Sequence, residues 1–110
     1  MTWTRKDVVV ATDPFKDHAD SGRPFLIING SETPFRGEQY ITLALTTRTW
    51  YSERIKLQKD DWIKGGAPES SSIMPWSLNS IKTNWIDYRQ GRLKPEKVEE
   101  AVETVIQYIK

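Results

Sequence analysis

Residues 22–29 read GRPFLIIN, a glycine, an arginine and a proline ahead of four consecutive apolar residues and an asparagine. The run Phe25 to Ile28 is short, apolar and bounded by turn residues, which predicts a buried strand. Pro24 fits the first residue of that strand, where its missing N–H costs no ladder bond. Arg23 then stands at the strand's mouth. A proline also restricts the residue before it to extended backbone, so the guanidinium is aimed rather than free to wander. Such an arginine is either a surface charge at a turn or a cation directed at an anion such as phosphate.

Other strands follow on both sides. DVVVA at residues 7–11 is β-branched and closes on Asp13-Pro14, so it reads as a strand. Residues 13–23 form a loop closed by Ser21-Gly22. NGSETPFRGEQ forms a second loop, with Asn29-Gly30, Pro34 and Gly37 as its turn signals. YITLALTT at residues 40–47 is apolar or β-branched throughout and suits a strand covered on both faces. Residues 54–57 alternate charged and apolar, which predicts a strand with one wet face. Residues 64–72 read as a flexible connector. Residues 73–78 and 81–86 read as two further strands.

The tail changes period. Val98, Ala101, Val102, Val105, Ile106 and Ile109 recur at three- and four-residue steps, which is one apolar stripe on a helix. Pro95 suits the first turn, and Glu96 complements the positive end of the helix dipole. The stripe packs either on the domain's own sheet or on a partner. Five or six short strands followed by one helix predict a mainly β fold: a small, antiparallel, SH3-like barrel with a C-terminal amphipathic helix. The 110 residues are expected to form a single domain.

Composition narrows the chemistry. No cysteine is present and His18 is the only histidine, so thiolate sites and multi-histidine zinc sites are excluded. Gly65-Gly66 lacks the lysine and hydroxyl of a phosphate-binding loop. Asp60-Asp61 is an adjacent pair whose carboxylates would not converge on a strand; it reads as flanking or capping Trp62. No metal or cofactor is expected. The apolar runs are far shorter than the ~20 residues a membrane helix needs. The first twenty residues carry seven charges spread among them, which predicts no signal peptide and a cytoplasmic protein.

A net charge of +1 conceals two basic stretches. One holds Arg48, Arg54, Lys56 and Lys59 against Glu53; the other holds Lys82, Arg89, Arg92 and Lys94 against Asp87. They either line a groove for an anionic polymer or are solvated strand faces. The chemistry left open is metal-independent attack on a phosphodiester, in which an RNA 2′-hydroxyl is an internal nucleophile. Arg23 suits the developing charge, Thr46 can donate a hydrogen bond to the phosphate, and His18 titrates near neutral pH. Among five tryptophans, Trp50 with Tyr51 follows Thr46 closely and is the best candidate for stacking on a base.

The segments DVVVATDPF, GRPFLIIN, YITLALTT and RQGRLKPEKVEEAVETVIQYI, in that order and spacing, resemble the MazF/PemK-like toxins over about residues 6–109. The resemblance implies the barrel these toxins share with the CcdB toxins, and a Gly-x-Leu turn at Gly91-Arg92-Leu93 before the last helix. It implies a homodimeric endoribonuclease that cuts single-stranded RNA to a 2′,3′-cyclic phosphate without a metal, blocked by a cognate antitoxin. The family's arginine falls on Arg23 and its strand-end threonine on Thr46. His18 is similar to a loop histidine of some members, one residue closer to the arginine. Lys6 stands where members usually have glycine. Ser77, Asn79 and Lys82 stand in the neighbourhood where some members place further catalytic residues, and with Arg48, Trp50, Tyr51 and Lys56 they are the expected RNA contacts. The alternative on the same barrel is a module that binds nucleic acid, or a protein as CcdB binds gyrase, without cutting.

Overall fold

The structure, a computed structural model, describes residues 2–12, 22–67 and 69–110. Among these residues, seven strands form one antiparallel sheet. They are β1 (Asp7–Ala11), β2 (Arg23–Ile27), β3 (Gln39–Thr46), β4 (Ile55–Lys56), β5 (Trp62–Gly65), β6 (Ser72–Lys82) and β7 (Ile86–Leu93), followed by α1 (Pro95–Ile109). Their order across the sheet is β4-β6-β3-β2-β1-β7-β5. Short 3₁₀ turns occupy Lys59–Asp61 and Thr83–Trp85.

The curled sheet is covered on both faces, as the continuous apolar runs of β1 and β3 require. Val8, Leu26, Leu43, Leu45, Ile55 and Ile73 point to one face and pack with Val98, Ala101 and Val105 of α1. Val9, Ala11, Ile27, Tyr40 and Ile81 point to the other, where Trp3, Phe25, Trp85 and Ile86 close over them. The period-2 alternation of one strand thus feeds two cores.

The expected strands β1, β2, β3 and β4 are present, with Ile55 and Leu57 buried and Lys56 exposed on the edge. Four expectations need correction. Residues 73–78 and 81–86 are not two strands: β6 runs unbroken to Lys82, because Asn79-Ser80 pairs with Ile41 and Thr42 instead of turning. The weak patterning comes from a bulge, where the register against β3 shifts between Leu43 and Leu45 and Pro75 sits among the extra residues. The connector at residues 64–72 gives its first two residues to β5 and its last to β6. Gly91-Arg92-Leu93 is not a turn but the end of β7. Gly91 pairs with Gly65 and Val8, and a Cβ on it would lie 2.5 Å from the Lys64 carbonyl and 2.8 Å from the Trp62 ring. Glycine is needed there for close approach. The apolar stripe of α1, finally, is only half used by the sheet: Val98, Ala101 and Val105 are buried, while Ile106 is 46% and Ile109 71% exposed.

The residues flanking β1 are held tightly. Asp7, 2% exposed, accepts the Thr4 N–H at 2.9 Å and the Arg92 Nε–H at 2.9 Å, with Arg89 at 3.7 Å. Lys6 adopts φ +87°, between its N–H donating to Ile27 O and its carbonyl accepting from Leu93 N–H. That is a glycine conformation, which explains why glycine is usual at the matching family position. Asp61 accepts the Gln58 N–H at 2.7 Å, closing the turn before Trp62 as expected.

Candidate nucleic-acid site

The register of the sheet builds a row of polar side chains at one end. Phe25 pairs with Ala44, Leu26 with Leu43 and Ile27 with Thr42. Arg23 opens β2 and Thr46 closes β3, so the antiparallel pairing sets both at the same end of the sheet, beyond the last paired residues Phe25 and Ala44. Thr46 in turn pairs with Ser72 of β6, and Ser72 with Lys56 of β4. The row across β3, β6 and β4 is therefore Thr46, Ser72, Lys56. The preceding row, Leu45, Ile73 and Ile55, is buried beneath the opposite face. Two hydroxyls and one cation thus lie in a row over about 10 Å, from the normal strand spacing.

Local sequence aims each group. Gly22 passes over β1 so closely that a Cβ would meet Val10 Cγ1 at 2.5 Å. Arg23 itself pairs with Ala11 and is exposed. No carboxylate among the described residues lies within ion-pair distance of its guanidinium. Thr46 Oγ1 accepts the Arg48 N–H at 3.1 Å, which holds its rotamer and leaves its proton for another acceptor.

The chain leaving β3 then forms an aromatic ladder. The Arg48 guanidinium lies 5.3 Å from the Trp50 ring centroid, a cation–π distance. Trp50 is 5.7 Å from Tyr51, and Tyr51 is 5.2 Å from Trp76. Trp50 is 69% exposed, so the ring is presented to solvent. A large aromatic held open beside a cation and a hydroxyl row has the chemistry of a base-stacking platform.

The remaining expected contacts are placed differently. Ser77 and Asn79 lie on β6 beyond the bulge, where Asn79 Nδ2 donates to Ser77 O at 3.1 Å. Thr42 Oγ1 donates to Asn79 O at 2.9 Å. Both polar groups are thus occupied within the strand. Lys82 pairs with Gln39, at the opposite end of β3 from Thr46, with its ammonium 5.9 Å from the Trp85 ring. The structure links Thr46, Arg48, Trp50 and Tyr51 through successive contacts, sets Thr46 in register with Ser72 and Lys56, and puts Lys82 at the opposite end of β3. His18 lies outside the described residues. Ser72 and Trp76 were not expected at the site. Ser72's place depends on the β6 bulge, which no local pattern announces.

With this geometry in place, comparison with solved structures defines the class: the fold is that of the MazF toxins. A mycobacterial endoribonuclease bound to its cognate antitoxin is similar with a TM-score of 0.68 at 16% identity, covering 96% of this chain and 94% of that one. The Mycobacterium tuberculosis toxin MazF-mt6 gives a TM-score of 0.65 at 16% identity, covering 93% of each chain. A further mycobacterial endoribonuclease gives 0.60 at 16% identity, covering 97% of this chain and 93% of that one. No family model and no curated protein matches the sequence.

Proposed function

We propose that this chain is the toxin of a toxin–antitoxin pair and acts as an endoribonuclease on single-stranded RNA. The observation that supports the proposal is the register row of Thr46, Ser72 and Lys56 at the end of the sheet where Arg23 opens β2, with Trp50 exposed on the chain leaving β3. The ribose 2′-oxygen forms a bond to the adjacent phosphorus as the bond to the 5′-oxygen breaks, leaving a 2′,3′-cyclic phosphate. Arg23 neutralises the charge of the pentacoordinate phosphorus, a role for which a planar, permanently charged fork is suited. Thr46 donates a hydrogen bond to the same phosphate. Ser72 and Lys56 hold the next part of the backbone. Trp50 and Tyr51 stack bases, with Arg48 fixing Trp50. His18 is assigned as the auxiliary proton carrier. The groups named need no metal ion for these steps, and the reaction takes place in the cytoplasm.

Two protein partners belong to the proposal. One is an antitoxin that covers this row, as a cognate antitoxin accompanies one structurally similar endoribonuclease. The other is a second copy of the chain. A cavity of about 430 Å³ opens between β6 and the end of α1, lined by Tyr51, Trp76, Leu78, Val105, Tyr108 and Ile109. Contiguous apolar surface of this kind is a protein contact, and a homodimer would cover it together with Tyr51 and Trp76, leaving the exposed Trp50 at its rim.

The test is cleavage of a long single-stranded RNA by the purified protein in EDTA, with the product ends analysed for cyclic phosphate. Arg23→Ala should lower the rate by about 100-fold or more, the usual loss for one charge-stabilising donor. Cleavage that survives both Arg23→Ala and Thr46→Val defeats the mechanism. Tight RNA binding with no cyclic-phosphate product would make the chain a non-cutting binding module.

A further inference from the structure

At the other end of the sheet, the N-terminal segment and the loop between β2 and β3 enclose a cavity of about 380 Å³. That is within the size range of small-molecule sites. Arg5, Lys6 and Arg36 line it and no carboxylate does. Two of the three, Lys6 and Arg36, have no ion-pair partner among the described residues, while Arg5 is paired with Glu99. We propose that this cleft is a second, separate site that binds the phosphate of a nucleotide.

Three features separate a built site from a chance cluster. First, one cation is structural and sets the wall. Arg5 NH1 donates to Ile28 O at 2.6 Å, and Arg5 NH2 reaches Glu99 of α1 at 2.5 Å. Lys6 and Arg36 line the cleft and make no ion pair among the described residues. Second, Lys6 occupies a left-handed conformation that glycine would adopt with less strain. Strained residues of this kind concentrate at binding sites, and here the strained residue is the one that adds an ammonium to the cleft. Third, Tyr40 is 2% exposed yet borders the cavity. Its oxygen accepts the Trp3 N–H at 3.2 Å, and its own proton has no acceptor among the described residues. A buried donor beside two unpaired cations is suited to a phosphate oxygen. Trp3 supplies an aromatic wall against which a base can lie.

The site is independent of the row that contains Arg23. Tyr40 and Thr46 lie on the same face of β3 but six residues apart, about 20 Å along the strand. A mononucleotide in the cleft therefore cannot touch Arg23. The phosphate could belong to a free nucleotide or to a distal part of an RNA strand, and the two sources share the chemistry stated.

The experiment is calorimetric titration of the full chain with adenosine 5′-monophosphate, with adenosine, and with a six-nucleotide RNA lacking terminal phosphates. Backbone amide shifts are followed by NMR in parallel. Adenosine monophosphate should bind and adenosine should not. Lys6→Gly and Arg36→Ala should each weaken binding at least ten-fold, and the amides of Trp3, Gly30 and Gly37 should shift. Lys6→Gly relieves backbone strain, so a loss of affinity in that variant cannot be attributed to misfolding. RNA binding that falls with these substitutions would identify strand phosphates as the source; monophosphate binding alone would identify a free nucleotide. Unchanged affinity in both variants, shifts confined to Thr46 and Trp50, or binding of neither phosphate ligand overturns the proposal. Because Arg23→Ala tests cleavage and leaves this cleft intact, failure of one proposal is separable from failure of the other.

Discussion

Thr46 of β3 and Ser72 of β6 are register partners, and the same register continues to Lys56 on the edge strand. A row assembled this way depends on backbone pairing more than on side-chain flexibility, so each member can be removed without rebuilding its neighbours. Ser72 is 7% exposed and small, and Ser72→Ala should leave folding nearly unchanged. In the proposed ribonuclease it should cost roughly ten-fold in kcat/KM, about the 1.4 kcal/mol of one modest hydrogen bond. Lys56→Ala should instead raise KM and flatten the dependence of binding on salt, as loss of one phosphate contact does. Steady-state kinetics at two salt concentrations separates the two effects.

Lys6 sits at φ +87° between two backbone hydrogen bonds, so its conformation is not free to relax. Lys6→Gly should stabilise the protein by about 1 kcal/mol through relief of that strain. For a chain of this size the melting temperature should rise by about 4 °C, a shift that calorimetry resolves. A fall in melting temperature would mean that the lysine side chain contributes more to folding than its backbone costs.

Gly91 should tolerate no side chain. The Lys64 carbonyl and the Trp62 ring occupy the space a Cβ needs, and the carbonyl is backbone that cannot rotate away. Gly91→Ala should cost about 1–3 kcal/mol by overpacking. Gly30→Ala is the matched control, since nothing lies within 4 Å of the added atom. Denaturant midpoints of the two variants should differ clearly.

Asp7 is the most buried carboxylate described, and it ties Thr4, Arg92 and Arg89 to the start of β1. Asp7→Ala leaves the Thr4 N–H and two arginines without their acceptor. Because both arginines are about one-third exposed, water takes up part of the loss, and the cost should be about 2–3 kcal/mol rather than the larger penalty of a fully buried pair. Urea unfolding measures it.

The exposed end of α1 gives a test of assembly. Ile109→Asp places a charge in the cavity beside Trp76 and Leu78 without touching Val98, Ala101 or Val105. In the proposed homodimer it should shift the protein toward monomer in light scattering while leaving the melting of the isolated fold little changed. A wild-type protein that is monomeric at high concentration would remove the dimer.

The strongest local signals were read correctly. The helix announced itself through its three- and four-residue period, and β1, β2 and β3 through short β-branched or apolar runs, because these signals arise from residues adjacent in the chain. Pro24 beside Arg23 was likewise legible as a strand start, and Arg23 opens β2. By contrast, β7 reads IDYRQGRL, polar along most of its length, and becomes a strand because β1 and β5 pair with it on both sides. The row of Thr46, Ser72 and Lys56 draws on three strands, one of them displaced by a bulge, and the cleft at Lys6 needs two distant segments to converge. Sequence alone therefore determined which segments extend, which coils into a helix, and which side chains carry usable charge. Only the tertiary structure decided which of those charges share a site, because register and bulges are set by pairing between strands remote in the chain, where no local pattern records the partner.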